Sequence, residues 1–288
     1  MSFEKLLDEN MRLKETLKGI IPDEKLEKLV QSFDIIGNIV VIEIPDELKE
    51  FEKIIGEKIL ENLKHVKTVC KKAGIHEGPF RIRPCTIIAG ENKTETIHKE
   101  SGVLMKLDVN KVYFSPRLSF ERERIANLVK PGEKVAVFFA GVGPFALVIG
   151  KKQPLVSKIY GIELNPDAYK YFEENIKLNK MVGKIVPIFG DVKEKAKEIE
   201  KCDRVIMPLP KNAPDFLESA LECLKEVGYI HIYGFGSEEN PFEELEKKVE
   251  EKLKNVEWEI TNKRIVRTYA PRVEQVVFDI KIRKNSTN

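Results

Sequence analysis

Two glycines and an acid have the spacing of a site that holds a nucleoside cofactor. Gly141 and Gly143 follow Val137-Phe138-Phe139, an apolar run that predicts a buried strand, and an apolar helix is predicted from Pro144. Glu163 stands 22 residues after Gly141, at the end of a second predicted strand. Glycines let the backbone turn tightly beside a ligand, and a carboxylate at the next strand end accepts hydrogen bonds from ribose hydroxyls.

The glycine pattern is incomplete for a dinucleotide. Pro144 and Phe145 stand where a third glycine of the dinucleotide fingerprint would be sought, so no cradle for a pyrophosphate is predicted. A cofactor with a ribose but without a pyrophosphate fits these residues better. We therefore expect S-adenosylmethionine.

The elements that must position these residues alternate along the chain. From residue 134 to residue 235, apolar runs of strand length are separated by amphipathic segments with a helical period, which predicts a parallel sheet with right-handed crossovers. Strands near 256–266 and 274–282 have a short connection, which predicts an antiparallel hairpin at the sheet edge. A seven-stranded, mostly parallel sheet with a final hairpin is typical of the α/β, Rossmann-like class I methyltransferases.

The segments before this sheet predict a smaller α+β domain. A hairpin around Gly37-Asn38 and a helix over 46–63 are followed by predicted strands near 66–70, 81–89, 103–107 and 111–114. The expected division is a helical appendage over residues 1–30, an α+β domain over 31–114, and an α/β domain over 115–288.

In such a sheet, ligands bind at the carboxyl ends of the parallel strands. The residues predicted at those ends are Glu163, Asn165, Asp191, Pro208 and Pro210. Glu163 suits a ribose and Asp191 suits an adenine amino group. An alternative remains for two of them, since Asn165 and Asp191 also have the side chains that cap a following helix.

Composition limits the other classes of function. The chain has 288 residues, with 33% charged and 42% hydrophobic residues, and no apolar run approaches the length of a membrane span. The first residues lead into a charged amphipathic pattern instead of a signal peptide, which favours a cytoplasmic protein. The four cysteines and four histidines lack metal-ligand spacing, so no metal is expected.

The net charge of +2 gives no global argument for nucleic acid, but basic residues are concentrated between Arg81 and Arg124. Such a local patch binds a phosphate backbone even on a nearly neutral protein. A solvated face is the alternative for the same residues.

Five motifs together resemble the archaeal and eukaryotic tRNA (guanine-37-N1)-methyltransferases. The resemblance covers about residues 31–283, and its motifs are Phe139-Ala140-Gly141-Val142-Gly143-Pro144-Phe145, the segment 91–100, Lys111-Val112-Tyr113-Phe114-Ser115-Pro116-Arg117-Leu118-Ser119, the segment 175–180, and Tyr269-Ala270-Pro271-Arg272. The family implies methyl transfer from S-adenosylmethionine to N1 of the guanosine 3′ of the anticodon, by an enzyme that we expect to be a monomer.

The resemblance also implies roles for single residues. Glu121 matches the catalytic base. Arg81 matches by spacing, and Arg83 less closely, an arginine that stabilises charge on the guanine oxygen. The alternatives are an exposed acid at a helix N-terminus for Glu121 and a surface charge for Arg81. The other implied contacts are Phe139 and Phe145 with the cofactor, and Tyr113, Arg117, Arg83, Lys93 and His98 with tRNA.

Two positions depart from the family pattern. Val137 stands where an acid usually helps to hold the methionine part of the cofactor, and Met207-Pro208-Leu209-Pro210 replaces an Asn-Leu-Pro segment. The second departure resembles a subgroup that also methylates a wyosine precursor, 4-demethylwyosine. Two further hypotheses stay open: transfer of an aminocarboxypropyl group from the same cofactor, and a catalytically silent tRNA-binding protein.

Overall fold

The structure is a computed structural model that describes residues 13–30, 32–72, 84–209 and 211–284. These residues form two compact units. The first contains the described residues up to Lys99 together with Leu104–Arg117, and the second contains Glu100–Val103 and the chain from Leu118 onward. The boundary at 117/118 lies three residues after the predicted division at 114/115.

The first unit is built on a four-stranded sheet with the order β1-β2-β3-β4. Strands β2 and β3 are parallel, and the other two neighbouring pairs are antiparallel. A separate hairpin of β5 and β6 follows. The strands are β1 Phe33–Ile36, β2 Ile39–Ile42, β3 Thr68–Lys72, β4 Cys85–Gly90, β5 Glu95–Glu100 and β6 Val103–Asp108. The helices are Asp23–Leu26, the 3-10 helix Asp46–Phe51 and Glu52–Asn62.

The predicted turn at Gly37-Asn38 is present, and strand β5 packs directly against it. Gly37 has φ +58°, and a Cβ there would overlap the Thr96 hydroxyl and the Ile97 carbonyl, so only glycine fits. Thr96 Oγ1 accepts from the Asn38 N–H at 3.2 Å and donates to the Asn38 side-chain oxygen at 2.7 Å. The glycine therefore permits a close approach that the side-chain hydrogen bonds then hold.

Residues 13–30 differ from the separate appendage expected from the sequence. Leu13, Leu17, Ile21 and Leu26 are buried in the same apolar cluster as the strands of the four-stranded sheet. Burial of these side chains removes apolar surface from water, which binds the segment to the first unit.

The strands predicted for this unit differ from those of the structure at three places. The strand expected over 111–114 is absent, because the Asp108 carbonyl accepts from the N–H groups of both Lys111 and Val112 and closes a turn. Strand β5 was not predicted, although its residues Glu95–Glu100 lie in one of the motifs. The strand expected over 81–89 begins at Cys85 in the described part of the chain.

The second unit contains the predicted seven-stranded, mostly parallel sheet. Its order is β12-β13-β11-β10-β7-β8-β9, with β13 antiparallel to both of its neighbours and the other pairs parallel. The strands are β7 Lys134–Phe138, β8 Lys158–Glu163, β9 Ile185–Phe189, β10 Cys202–Met207, β11 Leu224–Ser237, β12 Glu257–Ala270 and β13 Val273–Arg283.

Helices connect the parallel strands of this sheet. Buried apolar residues between the sheet and the helices form the core, among them Phe138, Ile162, Val205 and Ile232. The α-helices are Ser119–Leu128, Pro144–Lys152, Pro166–Leu178, Val192–Lys195, Leu217–Cys223 and Glu243–Lys252. The 3-10 helices are Pro116–Leu118, which includes the boundary at 117/118, and Ala196–Glu198 and Ala213–Phe216 of the second unit. None of the described helices combines the length and the apolar content needed to cross a bilayer.

Candidate active site

The glycine turn after β7 has the backbone geometry that its residue types require. Gly141 has φ +57° and Gly143 has φ +91°, both in the left-handed region. Gly143 is the N-cap of the helix Pro144–Lys152, and Pro144 occupies its first turn. A Cβ on Gly143 would overlap the ring of Phe172, so both its conformation and its surroundings demand glycine.

Phe139 adopts an unusual conformation at the start of the same turn. Its φ of +53° is strained for a bulky side chain, and its ring packs edge-on against Phe216 with centroids 4.8 Å apart. Strain of this kind is often found where a backbone is shaped for a ligand.

Glu163 lies against the glycine turn, as its spacing predicts. Its carboxylate accepts from the Gly141 N–H at 2.6 Å and from the Asn165 N–H at 2.7 Å. Burial raises the pKa of Glu163, and the hydrogen bonds from Asn165 and Gly141 oppose that shift. A carboxylate fixed at this strand end has the position required to accept hydrogen bonds from a ribose.

Asn165 and Asp191 both act as helix N-caps. Asn165 Oδ1 accepts from the Asp167 N–H at 3.0 Å, and Asp191 Oδ1 accepts from the Lys193 N–H at 2.8 Å. Asn165 is buried and Asp191 is half-buried. Capping is therefore a role of each residue in the structure, and cofactor contact stays a prediction.

Of the other predicted cofactor residues, Phe145 follows β7 and Pro208 follows β10. Phe145 is buried, with its ring 6.1 Å from that of Tyr233. Pro208 is half-buried directly after β10, and Pro210 lies outside the described residues. Val137 is fully buried within β7, where its side chain contributes to the core.

Glu121 is buried and hydrogen-bonded, which is inconsistent with an exposed acid at a helix end. Its carboxyl group is on the helix Ser119–Leu128, and the residue is 3% exposed. Oε1 accepts from Arg124 Nη2 at 2.7 Å and from the Tyr233 hydroxyl at 2.7 Å, whereas Oε2 accepts from Arg124 Nε at 3.0 Å. Among the described residues, Oε2 therefore accepts fewer hydrogen bonds than Oε1, and a lone pair of Oε2 remains to accept a proton.

The predicted tRNA contacts that the structure describes lie in the first unit. Arg117 Nε donates to Asp34 Oδ1 at 2.6 Å, and Lys93 is exposed. His98 Nδ1 accepts from the Gly37 N–H at 3.1 Å, and its ring lies 5.1 Å from that of Phe114. Tyr113 is half-buried. Arg81 and Arg83 lie outside the described residues.

Four further polar residues surround Glu121 or its partner Arg124 and were not found from the sequence. They are Arg124, Tyr233, His231 and Asp279. The spacing of three residues between Glu121 and Arg124 on one helix was an available signal. Tyr233 and Asp279 are 112 and 155 residues from their partners, so only the fold brings them together.

Sequence comparison assigns most of the chain to known domain families. Residues 96–261 match the TRM5/TYW2 methyltransferase domain, and residues 13–94 match the TYW2 N-terminal domain. The chain belongs to the TRM5/TYW2 methyltransferase family. The resemblance predicted from the five motifs is therefore confirmed.

Two relatives illustrate the range of named activities in this family. The chain is 49% identical to the tRNA (guanine(37)-N(1))-methyltransferase Trm5b of Pyrococcus abyssi, over 91% of this chain and 78% of that protein. It is 34% identical to the tRNA (guanine(37)-N(1))/4-demethylwyosine(37)-methyltransferase Taw22 of Nanoarchaeum equitans, over 84% of this chain and 98% of that protein.

Solved structures of the family confirm the predicted class I methyltransferase fold. The complex of aTrm5 and tRNALeu has a TM-score of 0.84 and 40% identity, and covers 94% of this chain and 78% of that chain. M. jannaschii TYW2 in complex with AdoMet has a TM-score of 0.68 and 29% identity, and covers 88% of this chain and 100% of that chain. The expected cofactor is thus bound in a structure of the family.

Proposed function

We propose that the chain is an S-adenosylmethionine-dependent methyltransferase that acts on N1 of guanosine 37 in tRNA. The similarity to Pyrococcus abyssi Trm5b carries this proposal, because it extends over 91% of the chain. The geometry of the second unit supports it. We also propose that the protein acts in the cytoplasm, where its tRNA substrate is processed, and that it acts as a monomer.

The residues around the glycine turn fit a cofactor that contains a ribose. Gly143 has no room for a side chain, and the Glu163 carboxylate is fixed beside Gly141. Glu163 would accept hydrogen bonds from the ribose and Asp191 from the adenine amino group. The remaining proposed contacts are Phe139, Phe145, Asn165, Pro208 and Pro210. When bound, S-adenosylmethionine supplies an electrophilic methyl group.

Glu121 has the chemistry required of the base. Guanine N1 carries a proton and is a poor nucleophile, so catalysis requires removal of that proton and stabilisation of the negative charge on O6. Oε2 of Glu121 would take the proton, and Arg81 would stabilise O6. Because Glu121 is only 3% exposed, the guanine must leave the anticodon stack to reach it.

The tRNA contacts proposed for the first unit are of two kinds. Arg83, Lys93 and Arg117 would bind phosphates of the anticodon arm, where basic side chains provide affinity. Tyr113 and His98 have rings that suit stacking with unpaired bases.

A product assay with a Glu121 variant tests the function. Wild-type protein incubated with labelled S-adenosylmethionine and unmodified tRNA with guanosine 37 should yield N1-methylguanosine in the nuclease digest. Glu121→Gln should lose turnover by about 10²- to 10⁴-fold, because the amide cannot act as the base, while binding of tRNA and of S-adenosylhomocysteine persists. A digest without N1-methylguanosine, alongside an active control enzyme, would contradict the proposal.

A second methylation is a further candidate. Pro208 is the observation that favours it, since the Met207-Pro208-Leu209-Pro210 segment resembles the subgroup that acts on the wyosine precursor, and Taw22 is a relative with both activities in its name. We propose that the chain also methylates C7 of 4-demethylwyosine at position 37. The test is incubation with tRNA that carries this base, and failure of the base to gain a methyl group would refute it.

Two further measurements distinguish methylation from aminocarboxypropyl transfer and from silent tRNA binding. The mass of the product nucleoside distinguishes a methyl group from the larger aminocarboxypropyl group. Micromolar or tighter binding of S-adenosylhomocysteine, measured by calorimetry, would argue against a silent protein.

A further inference from the structure

Glu121 belongs to a buried series of hydrogen-bonded side chains within the second unit. The series connects the helix Ser119–Leu128 to strands β10, β11 and β13, and we call it the buried polar chain. Its members, in order of contact, are Tyr233, Glu121, Arg124, Asp279, His231, Arg204 and Glu133.

Arg124 donates hydrogen bonds to two carboxylates of the buried polar chain. Its Nη2 donates to Glu121 Oε1 at 2.7 Å and to Asp279 Oδ1 at 3.0 Å, and its Nη1 donates to Asp279 Oδ2 at 2.6 Å. A planar guanidinium that serves two carboxylates in this way has one favourable orientation. Arg124 therefore fixes the Glu121 carboxylate relative to strand β13.

Asp279 is fixed from its other side by a neutral histidine. Asp279 Oδ1 lies 2.5 Å from His231 Nδ1, and His231 Nε2 lies 2.7 Å from Arg204 Nη1. An arginine can only donate, so Nε2 accepts and the ring proton on Nδ1 is donated to Asp279. Burial lowers the pKa of His231, which agrees with this neutral form.

The far end of the buried polar chain is anchored to the backbone and to a third carboxylate. Arg204 donates to both carboxylate oxygens of Glu133, at 2.9 and 3.0 Å, and to the Leu128 carbonyl at 2.9 Å. Leu128 ends the helix that carries Glu121 and Arg124. Arg204 thus connects the far end of the series back to the helix that carries Glu121.

The buried polar chain contains more carboxylates than guanidinium groups. Three carboxylates, those of Glu121, Asp279 and Glu133, face only two guanidinium groups, and His231 is neutral. An excess negative charge in a poorly solvated place is relieved when one carboxylate is protonated. Glu121 becomes neutral in this way when it accepts a proton from a substrate.

We propose that Arg124, held in place by Asp279, is a positioning residue that orients the Glu121 carboxylate for proton transfer from guanine N1. This inference rests on the proposed function, because it takes Glu121 as the base. The proton passes from N1 to Glu121, which becomes a neutral carboxyl group, and Arg124 exchanges no proton.

Arg124→Ala and Arg124→Lys test the inference in single-turnover and steady-state assays. We expect kcat to fall by about 10- to 100-fold, because Glu121 loses its fixed orientation. The KM values for tRNA and cofactor should stay within about twofold, since neither variant removes a proposed binding contact. Added guanidinium ion should restore part of the activity of Arg124→Ala but not of Arg122→Ala. Arg122 is the matched control, since it is a buried arginine of the same helix that pairs with Glu100.

The pH–rate profile provides a readout that a merely structural role would not move. Loss of the Arg124 charge disfavours the ionised form of Glu121, so the acidic limb should move to higher pH. Other titratable or charged groups of this region, in the described residues, lie on several elements. They are Arg122 and Arg124 of the helix that carries Glu121, Glu100 paired with Arg122, Tyr233 and His231 of β11, Asp279 of β13, and Arg204 with Glu133. Tyr233→Phe should move the acidic limb in the same direction, and this smaller change keeps the test informative if Arg124 variants fail to fold.

The parallel Glu121→Gln variant distinguishes failure of the base assignment from failure of the role proposed for Arg124. If Glu121→Gln keeps full turnover, the base assignment fails, and with it this inference. If Glu121→Gln loses turnover but the Arg124 and Tyr233 variants keep the wild-type kcat and pH profile, only the inference is overturned. Rescue by guanidinium and a shifted acidic limb would support it.

Discussion

At the scale of single residues, the chemistry of the site depends on buried ionisable groups that change the pKa values of their neighbours. Burial disfavours the ionised form of Asp279, but hydrogen bonds from His231 and Arg124 outweigh this and hold the pKa of Asp279 well below its usual range. The Tyr233 hydroxyl has the opposite shift, because burial and the nearby Glu121 charge raise the pKa of Tyr233. Tyr233 therefore stays a neutral donor to Glu121 over the physiological range.

Asp279→Asn should show that the interactions of the Asp279 carboxylate with Arg124 and His231 make the stability of the protein depend on pH. At neutral pH we expect the variant to lose about 3 kcal/mol of unfolding free energy, because Arg124 loses a charged partner. A folded-state pKa below the unfolded value of about 3.9 means that the stabilisation is complete above pH 4 and is lost as the pH falls further. The difference between wild type and variant in urea unfolding should therefore shrink below about pH 4, and a constant difference would contradict an electrostatic origin of the loss.

The sequence predicted the site residues that belong to a local motif. It did not predict the residues that only the folded chain brings to the site. Glu163 was predicted beside Gly141 because strand ends in a parallel sheet meet at one edge, and the two are hydrogen-bonded. The burial of Glu121 was not predicted, since its helix has polar residues on several faces. Tyr233 and Asp279 enclose it from distant strands, and no local pattern contains that information.

At the scale of elements, close packing between helices and turns determines which residues the glycine turn accepts. The helix Pro166–Leu178 places Phe172 against both Gly143 and Gly161. The Asn175 side chain of the same helix donates to the Val142 carbonyl at 3.1 Å. The first residue of the motif over 175–180 thus holds the glycine turn in place through a buried hydrogen bond.

Gly143→Ala should destabilise the protein more than Gly183→Ala, which is its matched control. Both glycines have φ in the left-handed region, so each substitution should cost about 1–2 kcal/mol of backbone strain. Only at Gly143 does the new methyl group meet a ring, which adds about 1–3 kcal/mol of overpacking, whereas nothing lies within 4 Å at Gly183. Chemical denaturation measures the two differences, and equal losses would show that the Phe172 contact has no cost.

Strand and helix positions in the second unit were predictable because alternating elements carry strong periodicity. The helix predicted from Pro144 is found as Pro144–Lys152, and the strand predicted to end at Glu163 is found as Lys158–Glu163. The first unit was harder, because short strands such as β5 have polar residues and are fixed by side-chain contacts with a distant turn. The strand expected over 111–114 is a turn in the structure, because the Asp108 carbonyl accepts hydrogen bonds from Lys111 and Val112.

At the scale of the whole molecule, the family assignment and the charge distribution make tRNA binding the main expectation. The formal net charge is only +2, so phosphate contacts have to come from local groups and not from a general positive field. Such contacts release counterions and make the affinity fall as salt rises.

Lys93→Gln should weaken tRNA binding in a way that depends on salt. If Lys93 contacts one phosphate, its loss should lower the slope of log affinity against log salt by about one, without changing affinity for S-adenosylhomocysteine. Lys247 is an exposed lysine of the helix Glu243–Lys252 and serves as the control. Filter binding over a salt series gives both slopes, and equal slopes for Lys93→Gln and wild type would remove Lys93 from the contacts.

The strained conformation of Phe139 has a consequence for laboratory evolution. A residue such as asparagine adopts a left-handed conformation more readily than phenylalanine, so the turn gives up about 1 kcal/mol that a different residue would recover. Selection for heat resistance alone should therefore accept changes at Phe139, whereas selection that also requires methylation should retain its ring. Comparison of the two selected populations would show whether the turn is kept for folding or for catalysis.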